Sequence, residues 1–452
     1  MTQTLHFAEA LTPEGFQRDL FVRVEDGVIA EVGAGRPQAG AERIAGLTLP
    51  GMPNLHSHAF QRGMAGLGER RGAGDDSFWT WREVMYRFLD RLTPEDVQAI
   101  AAQAYAEMLE GGFTAVAEFH YLHHDVDGRP YGDLAAMARA IAEAAKETGV
   151  GLTLLPVLYR QGGFGPQPPT QGQRRFICDR DRFARLVEES ARAIADVPDA
   201  TWGVAPHSLR AVTPEDLAFA EDLAAGRPIH IHVAEQEKEV ADSLAHNGLR
   251  PVEALFESAS VNARWCLIHA THLTHAERDR IAASGAVAGL CPVTEANLGD
   301  GIFDGAHFRE RGGFFGVGSD SNVEIGVAQE LRMLEYSQRL RDRRRGRMAD
   351  AGASVGRALY DNALAGGARA CGRSIGAIAV GRRADFVTLD ANHLALVARS
   401  GDAVIDSALF ASSALPVSEV RVGGRCVVKN GRHIAKETVA KRFAAVMRAL
   451  LD

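Results

Sequence analysis

His56-Ser57-His58 closes an apolar run, Pro50-Gly51-Met52-Pro53-Asn54-Leu55. On an extended strand the side chains alternate with a period of two, so both imidazoles point to one side and could hold one metal ion. Two histidines one residue apart also occur as plain polar residues at a strand end, so the motif needs partners. Candidates follow other apolar, β-rich runs: His230-Ile231-His232-Val233-Ala234-Glu235, then His269, then Gly318-Ser319-Asp320-Ser321. Imidazole nitrogen and carboxylate oxygen together suit a borderline ion such as zinc, and such a centre with one open position activates water.

Eight such runs must position these groups: Leu47–Leu55, Thr114–Phe119, Gly151–Leu158, Thr201–Ala205, Ile229–Ala234, Trp265–His269, Ala286–Cys291 and Phe314–Gly318. Each is followed by a helix-like stretch, and strands alternating with helices imply parallel βαβ units; eight of them predict a closed (β/α)8 barrel. Helix starts support the alternation. Thr93-Pro94-Glu95-Asp96 and Thr213-Pro214-Glu215-Asp216 place a capping threonine before a first-turn proline, and Thr274-His275-Ala276-Glu277 is a capping box. Chemistry in a barrel gathers at the C-terminal ends of its strands, and the first, fifth, sixth and eighth runs all deliver imidazole or carboxylate there. The long links after the first and third runs, the latter opening with Gly162-Gly163-Phe164-Gly165-Pro166-Gln167-Pro168-Pro169, are either the mouth of the site or passive loops.

Both chain ends read differently. Leu20 to Val32 alternates around Asp26-Gly27, Ala384–Asp390 is a short strand, and Val420–Val428 turns at Gly423-Gly424. The expectation is a small β-sandwich domain with a C-terminal helix from residues 1–49 and 371–452, around a barrel of residues 50–370. With 452 residues, 46% hydrophobic and 24% charged, the composition is globular, and the formal charge of -8 gives no support to nucleic-acid binding. Five scattered cysteines without Cys-x-x-Cys indicate neither a disulfide framework nor a cysteine zinc site. No signal-like or membrane-spanning run is present, so a cytoplasmic protein without membrane partners is expected. The basic run Arg339–Arg347 lacks interleaved aromatics and reads as a solvated helix end.

Together, His-x-His after the first strand, the histidine of His-x-x-Glu after the fifth, a histidine after the sixth and an aspartate after the eighth resemble the amidohydrolase superfamily, in particular its deaminase branch. The resemblance covers nearly the whole chain. It implies a single divalent ion, zinc first with iron or manganese as alternatives, on His56, His58, His232 and Asp320. No lysine stands at a strand end as the bridging group of the two-metal members. It further implies that Asp320 accepts a proton from the attacking water, that Glu235 passes it to the departing nitrogen, and that His269 orients the water or the tetrahedral centre. His230 shares the face of His232 and qualifies as a ligand on spacing; a hydrogen-bonded core histidine is the preferred reading. His272 and His275 read as structural, and His120, His123 and His124 as loop residues.

Longer stretches match the deiminase members of that branch: His56–Arg62, Ser77–Arg82, Glu118–Tyr121, Ala205–Arg210 and His232–Gln236. They imply hydrolysis of a formimino-substituted dicarboxylic amino acid to its formyl derivative and ammonia. Arg82 and Arg210, expected on loops, would each grip one carboxylate bidentately, with Gln61, Tyr121 and His207 as further contacts. Alternatives are a nucleobase or nucleoside deaminase of the same superfamily and a non-catalytic barrel for binding or assembly. The superfamily's habit also makes a homodimer the expectation.

Overall fold

Asp26 and Gly27 take φ of 47° and 85° and join antiparallel strands Gly15–Glu25 and Val28–Ala34, with Glu25 opposite Val28. Near the other end Gly423 and Gly424, at φ 56° and 78°, join Val417–Val422 to Arg425–Lys429. Both are two-residue turns with left-handed central residues, whose twist suits the flanking strands. The computed structural model describes residues 2–35, 40–71, 74 and 77–452. Among these, strands from both ends form one eight-stranded path: Arg432–His433, Arg425–Lys429, Val417–Val422, Phe386–Leu389, Glu42–Pro50, Thr2–Thr12, Gly15–Glu25 and Val28–Ala34. The path curls on itself, because Val28 of its edge strand bridges Arg383, just ahead of Phe386–Leu389. Leu5, Phe7, Leu20, Val22, Ile44 and Phe386 fill the space it encloses.

The apolar run Leu47–Leu55 is not one strand, which corrects the expectation. Its first part completes Glu42–Pro50 in the small sheet, and its second opens Met52–Ser57, the first barrel strand. Gly51 makes the switch; a Cβ there would stand 2.2 Å from Thr114 Oγ1, so only glycine lets the chain pass this close.

The other barrel strands are Phe113–His120, Gly151–Leu158, a fourth broken into Thr201–Trp202 and Ala205–Pro206, then Ile229–Val233, Trp265–His269, Val287–Leu290 and Phe314–Val317. All neighbours pair in parallel. Two seams remain between the resulting sheets. Parallel bridges Val204↔Ile229 and Ser208↔His232 join one, and Ser57↔Asp320 joins the other. Helices alternate with the strands as expected: Thr93, Thr213 and Thr274 accept from the backbone N–H of Asp96, Asp216 and Glu277 at the starts of Pro94–Glu110, Pro214–Ala224 and His275–Ser284. The last helix, Lys436–Leu451, packs on Pro94–Glu110 rather than on the small sheet. Among the described residues no helix is long and apolar enough to cross a membrane. The basic run ends the helix Val327–Asp342, with Arg339 on Glu335 and with Arg341 and Arg347 on Asp342.

Candidate metal centre and active site

His56 and His58 leave the first strand with their rings on the same side, and strand five brings His232 against them. His56 Nε2 and His232 Nε2 stand 3.1 Å apart, and Asp320 Oδ1 lies 3.4 Å from the Nε2 of both His56 and His58. Nitrogens bound to one zinc at about 2.0 Å are separated by about 3.3 Å. The ligand atoms of His56, His58 and His232 all fall within 4.8 Å of one another. The far nitrogens of two rings are already engaged: His58 Nδ1 donates to Phe119 O at 2.9 Å and His232 Nδ1 to His207 O at 3.0 Å. Such bonds orient an imidazole and leave Nε2 as the ligand atom. Burial lowers the His56, His58 and His232 pKa values, to about 3 for His56, which keeps the rings neutral. Burial alone would raise the Asp320 carboxyl, but His56, His269 and His58 outweigh it and hold it below the usual range. Three neutral imidazoles and one carboxylate are a donor set that fits a zinc-like dication.

The strand ends that carry these groups are bent out of ordinary conformation. Ala234, His269, Ala270, Asp320 and Asn322 all have φ between 43° and 65°. Non-glycine residues at such angles store strain, and it collects where side chains must be aimed. Gly318 lets strand eight come close: a Cβ there would lie 2.7 Å from His56 O.

Glu235 and His269 complete the centre. Glu235 Oε1 is 3.7 Å from His269 Nε2 and Glu235 Oε2 is 3.8 Å from Arg210, so this carboxyl stands between the histidine and the arginine. Burial, aided by Asp320 and Glu239, lifts Glu235 to about 7 against the pull of His269 and Arg210. His269 Nδ1 donates to Glu295 Oε1 at 3.3 Å. Burial disfavours its charge, yet Glu235, Glu295 and Asp320 together push His269 up to about 10.

One cavity takes in His58, His232, Glu235, His269 and Asp320 and every expected substrate contact, Gln61, Arg82, Tyr121, His207 and Arg210. Gln61, on the turn Ala59–Met64, donates to Tyr121 Oη at 2.8 Å, and its Oε1 has no partner. His207 lies 3.1 Å from Ser208 Oγ, its ring 4.5 Å from that of Tyr159. Arg210 sits in the turn before Pro214–Ala224, but Arg82 is on the helix Phe78–Leu89 and not on a loop. Ser77 caps that helix by accepting from Trp79 N–H. Phe78, Trp81, Met85 and Tyr86 share the cavity wall with Arg82. Their spacing of three and four residues was the signal of a helix face. Tyr159, Phe176 and Leu298 also line the cavity without any cue of that kind.

The remaining histidines divide as follows. His230 is a core residue, its Nε2 2.8 Å from Ala370 O. His272 Nε2 lies 2.8 Å from Asp300 O, and His275 begins its helix. His120 ends strand two instead of lying in a loop, and His123 and His124 are buried on the carbonyls of Val157 and Ile177. None of these three lines the cavity.

A model described as the amidohydrolase family matches residues 47–427, and the chain belongs to that family. Formimidoylglutamate deiminase of Pseudomonas aeruginosa is 54% identical over 99% of both chains. An 8-oxoguanine deaminase of the same species is 29% identical over 90% of this chain and 89% of its own. Among solved structures, an amidohydrolase from Brucella melitensis superposes with a TM-score of 0.95 at 49% identity over all of both chains. An adenosine deaminase from Xanthomonas campestris with bound zinc has a TM-score of 0.82 over 99% of this chain and 98% of its own; at 23% identity it speaks for the fold.

Proposed function

We propose that this chain hydrolyses N-formimino-L-glutamate to N-formyl-L-glutamate and ammonia, a step of histidine degradation. The observation that carries the reading is the pair Arg82 and Arg210 on the wall of the cavity that also holds the histidine centre. Among the described residues no carboxylate lies within 4.0 Å of Arg82, and Arg210 has only Glu235 at 3.8 Å. Two guanidinium groups so placed match a substrate with two carboxylates and a reacting carbon held away from both. The 54% identity to the Pseudomonas enzyme supports the same substrate. The aromatic wall also suits a flat base, as in the 8-oxoguanine deaminase relative, but a base leaves two arginines without anions.

His56, His58, His232 and Asp320 would hold one divalent ion, zinc by preference, which supplies a water acidic enough to ionise near neutral pH. Arg82 and Arg210 bind the two carboxylates and hold the formimino carbon toward the histidines. Asp320 accepts a proton from the attacking water. His269, fixed by Glu295, donates from Nε2 toward the oxygen as it bonds to that carbon. Glu235 hands the proton to the terminal nitrogen, so that the C–N bond breaks to ammonia and not to an amide anion. One C–O bond forms, one C–N bond breaks, and both water protons leave on nitrogen. The proposal includes a homodimer in the cytoplasm; the five cysteines are all free thiols, which accords with a reducing compartment.

The test is ammonia release from N-formimino-L-glutamate against a panel of nucleobases and nucleosides, with metal content measured on the same sample. Turnover of a base in preference to the formimino compound overturns the reading. A folded, metal-free and inert chain favours the binding-protein alternative.

A further inference from the structure

The helix Phe78–Leu89 carries Arg82 and sets rings against both arginines. Trp79 is absent from the lining of the reaction cavity; it lines the next cavity outward with Arg82, Arg210, Tyr159, Phe164 and Lys238. Its indole gathers three cations. The central guanidinium carbon of Arg82 lies 4.6 Å from the ring centre, that of Arg210 5.5 Å, and Lys238 Nζ 5.6 Å. The neighbouring rings of the same helix hold the same arginines, Tyr86 at 5.5 Å from Arg82 and Phe78 at 5.9 Å from Arg210.

A guanidinium meets an aromatic ring through its flat face or its positive charge, whereas it meets a carboxylate through the N–H groups on its edge. An arginine held by an acid has its edge occupied and its charge offset. One held by rings keeps both for a ligand. Arg82 is of the second kind, and Arg210 is close to it, with Glu235 on one side at 3.8 Å; the Nε atoms of both are buried without a hydrogen-bond partner. Two cations on one ring also repel each other; Tyr86 holds only Arg82 and Phe78 only Arg210, whereas Trp79 is the ring that meets both.

We propose that Trp79 is a positioning residue that sets the spacing of Arg82 and Arg210, and thereby makes the site select a dicarboxylate over a monocarboxylate. This rests on the reading of the substrate given above.

The experiment uses the metal-loaded full-length protein with Trp79→Leu and Trp79→Phe. Steady-state kinetics are measured with N-formimino-L-glutamate and with N-formimino-L-glutamine, which lacks one carboxylate, and binding of N-formyl-L-glutamate is measured by calorimetry. Loss of two ring contacts should raise KM and the product Kd about tenfold for the dicarboxylate in Trp79→Leu, with kcat changed less than about threefold. The preference for the dicarboxylate should shrink by a similar factor, and Trp79→Phe should recover most of it. If Trp79→Leu fails to fold by circular dichroism, Trp79→Met, which fills the space without a ring, takes its place. An unchanged preference in the ring-free variant, or an equal loss in Trp79→Phe, overturns the inference. A wild-type protein that neither turns over the formimino compound nor binds the formyl product overturns the substrate reading instead.

Discussion

Ser57 and Asp320 pair as a single parallel bridge across the last seam of the barrel, with Asp320 N–H on His56 O and His58 N–H on Asp320 O, both at 3.0 Å. Ser57, between His56 and His58, is thus tied to Asp320 through its neighbours' backbone. An ion on these side chains ties the same seam a second time. Removing it with a chelator should lower Tm, and returning zinc should restore it. At a free concentration about a thousandfold above Kd the ion adds about 4 kcal/mol. A melting curve unchanged by chelation, on a sample shown to have lost its metal, would contradict this.

Glu235 stands between His269 and Arg210 and is buried. Glu235→Gln keeps its shape and removes its proton transfer, so kcat should fall by about 10²- to 10⁴-fold while metal content and KM hold. A variant that retains wild-type kcat would assign the proton transfer to another group.

The bond from His269 Nδ1 to Glu295 Oε1 leaves Nε2 as the nitrogen facing Glu235 and Asp320. Glu295 is itself fixed, its Oε1 accepting from Cys291 N–H at 2.9 Å. Outer partners of this kind commonly matter by about 10- to 100-fold. Glu295→Leu should lower kcat by that order with metal retained, and Glu295→Gln, which can still accept from the histidine, should lose less. Equal kinetics for all three proteins would make Glu295 a structural residue only.

Arg82→Met and Arg210→Met each remove a charge-assisted contact while sparing the centre. KM should rise by about 10- to 150-fold in either. Lysine should rescue poorly, because it lacks the planar fork. Unaltered KM in both would place the carboxylates elsewhere.

Glu118 offers a test in the fold. Its Oε1 accepts from Ala59 N–H at 2.6 Å, and burial, opposed by its hydrogen bonds, lifts the carboxyl from 4.5 to about 7. Between those values the folded chain holds the proton and the unfolded chain does not, so stability falls as pH rises. The contribution, about 3 kcal/mol, is complete below pH 4.5 and gone above pH 7. Glu118→Gln cannot titrate. Urea unfolding at pH 4.5 and pH 8 should show wild type losing stability relative to the variant, and parallel pH profiles would refute it.

The barrel strands were legible because strands buried on both faces read as continuous apolar runs, and the hairpins because Asp-Gly and Gly-Gly supply left-handed residues. Leu47–Leu55 misled for the same reason: apolar character runs on while the chain changes sheets, and only Gly51 marks the change. Arg82, expected on a loop, is helical; the cue was the three- and four-residue spacing of Phe78, Trp81, Arg82, Met85 and Tyr86 after Ser77. Glu295 left no local signal at all. Its role arises from a contact with His269, 26 residues away, and no pattern along the chain encodes it.

Thr48 and Thr388 share a hydrogen bond of 2.9 Å across 340 residues, in the sheet that leads through Gly51 into the first barrel strand. One of the two pairing partners of Glu42–Pro50, Phe386–Leu389, is therefore made long after it. Asp320 too is made long after His56. During synthesis the first barrel strand waits with one edge unpaired until the residues around Asp320 have been made. Closing this seam and bringing Asp320 to His56 and His58 are therefore one event in folding.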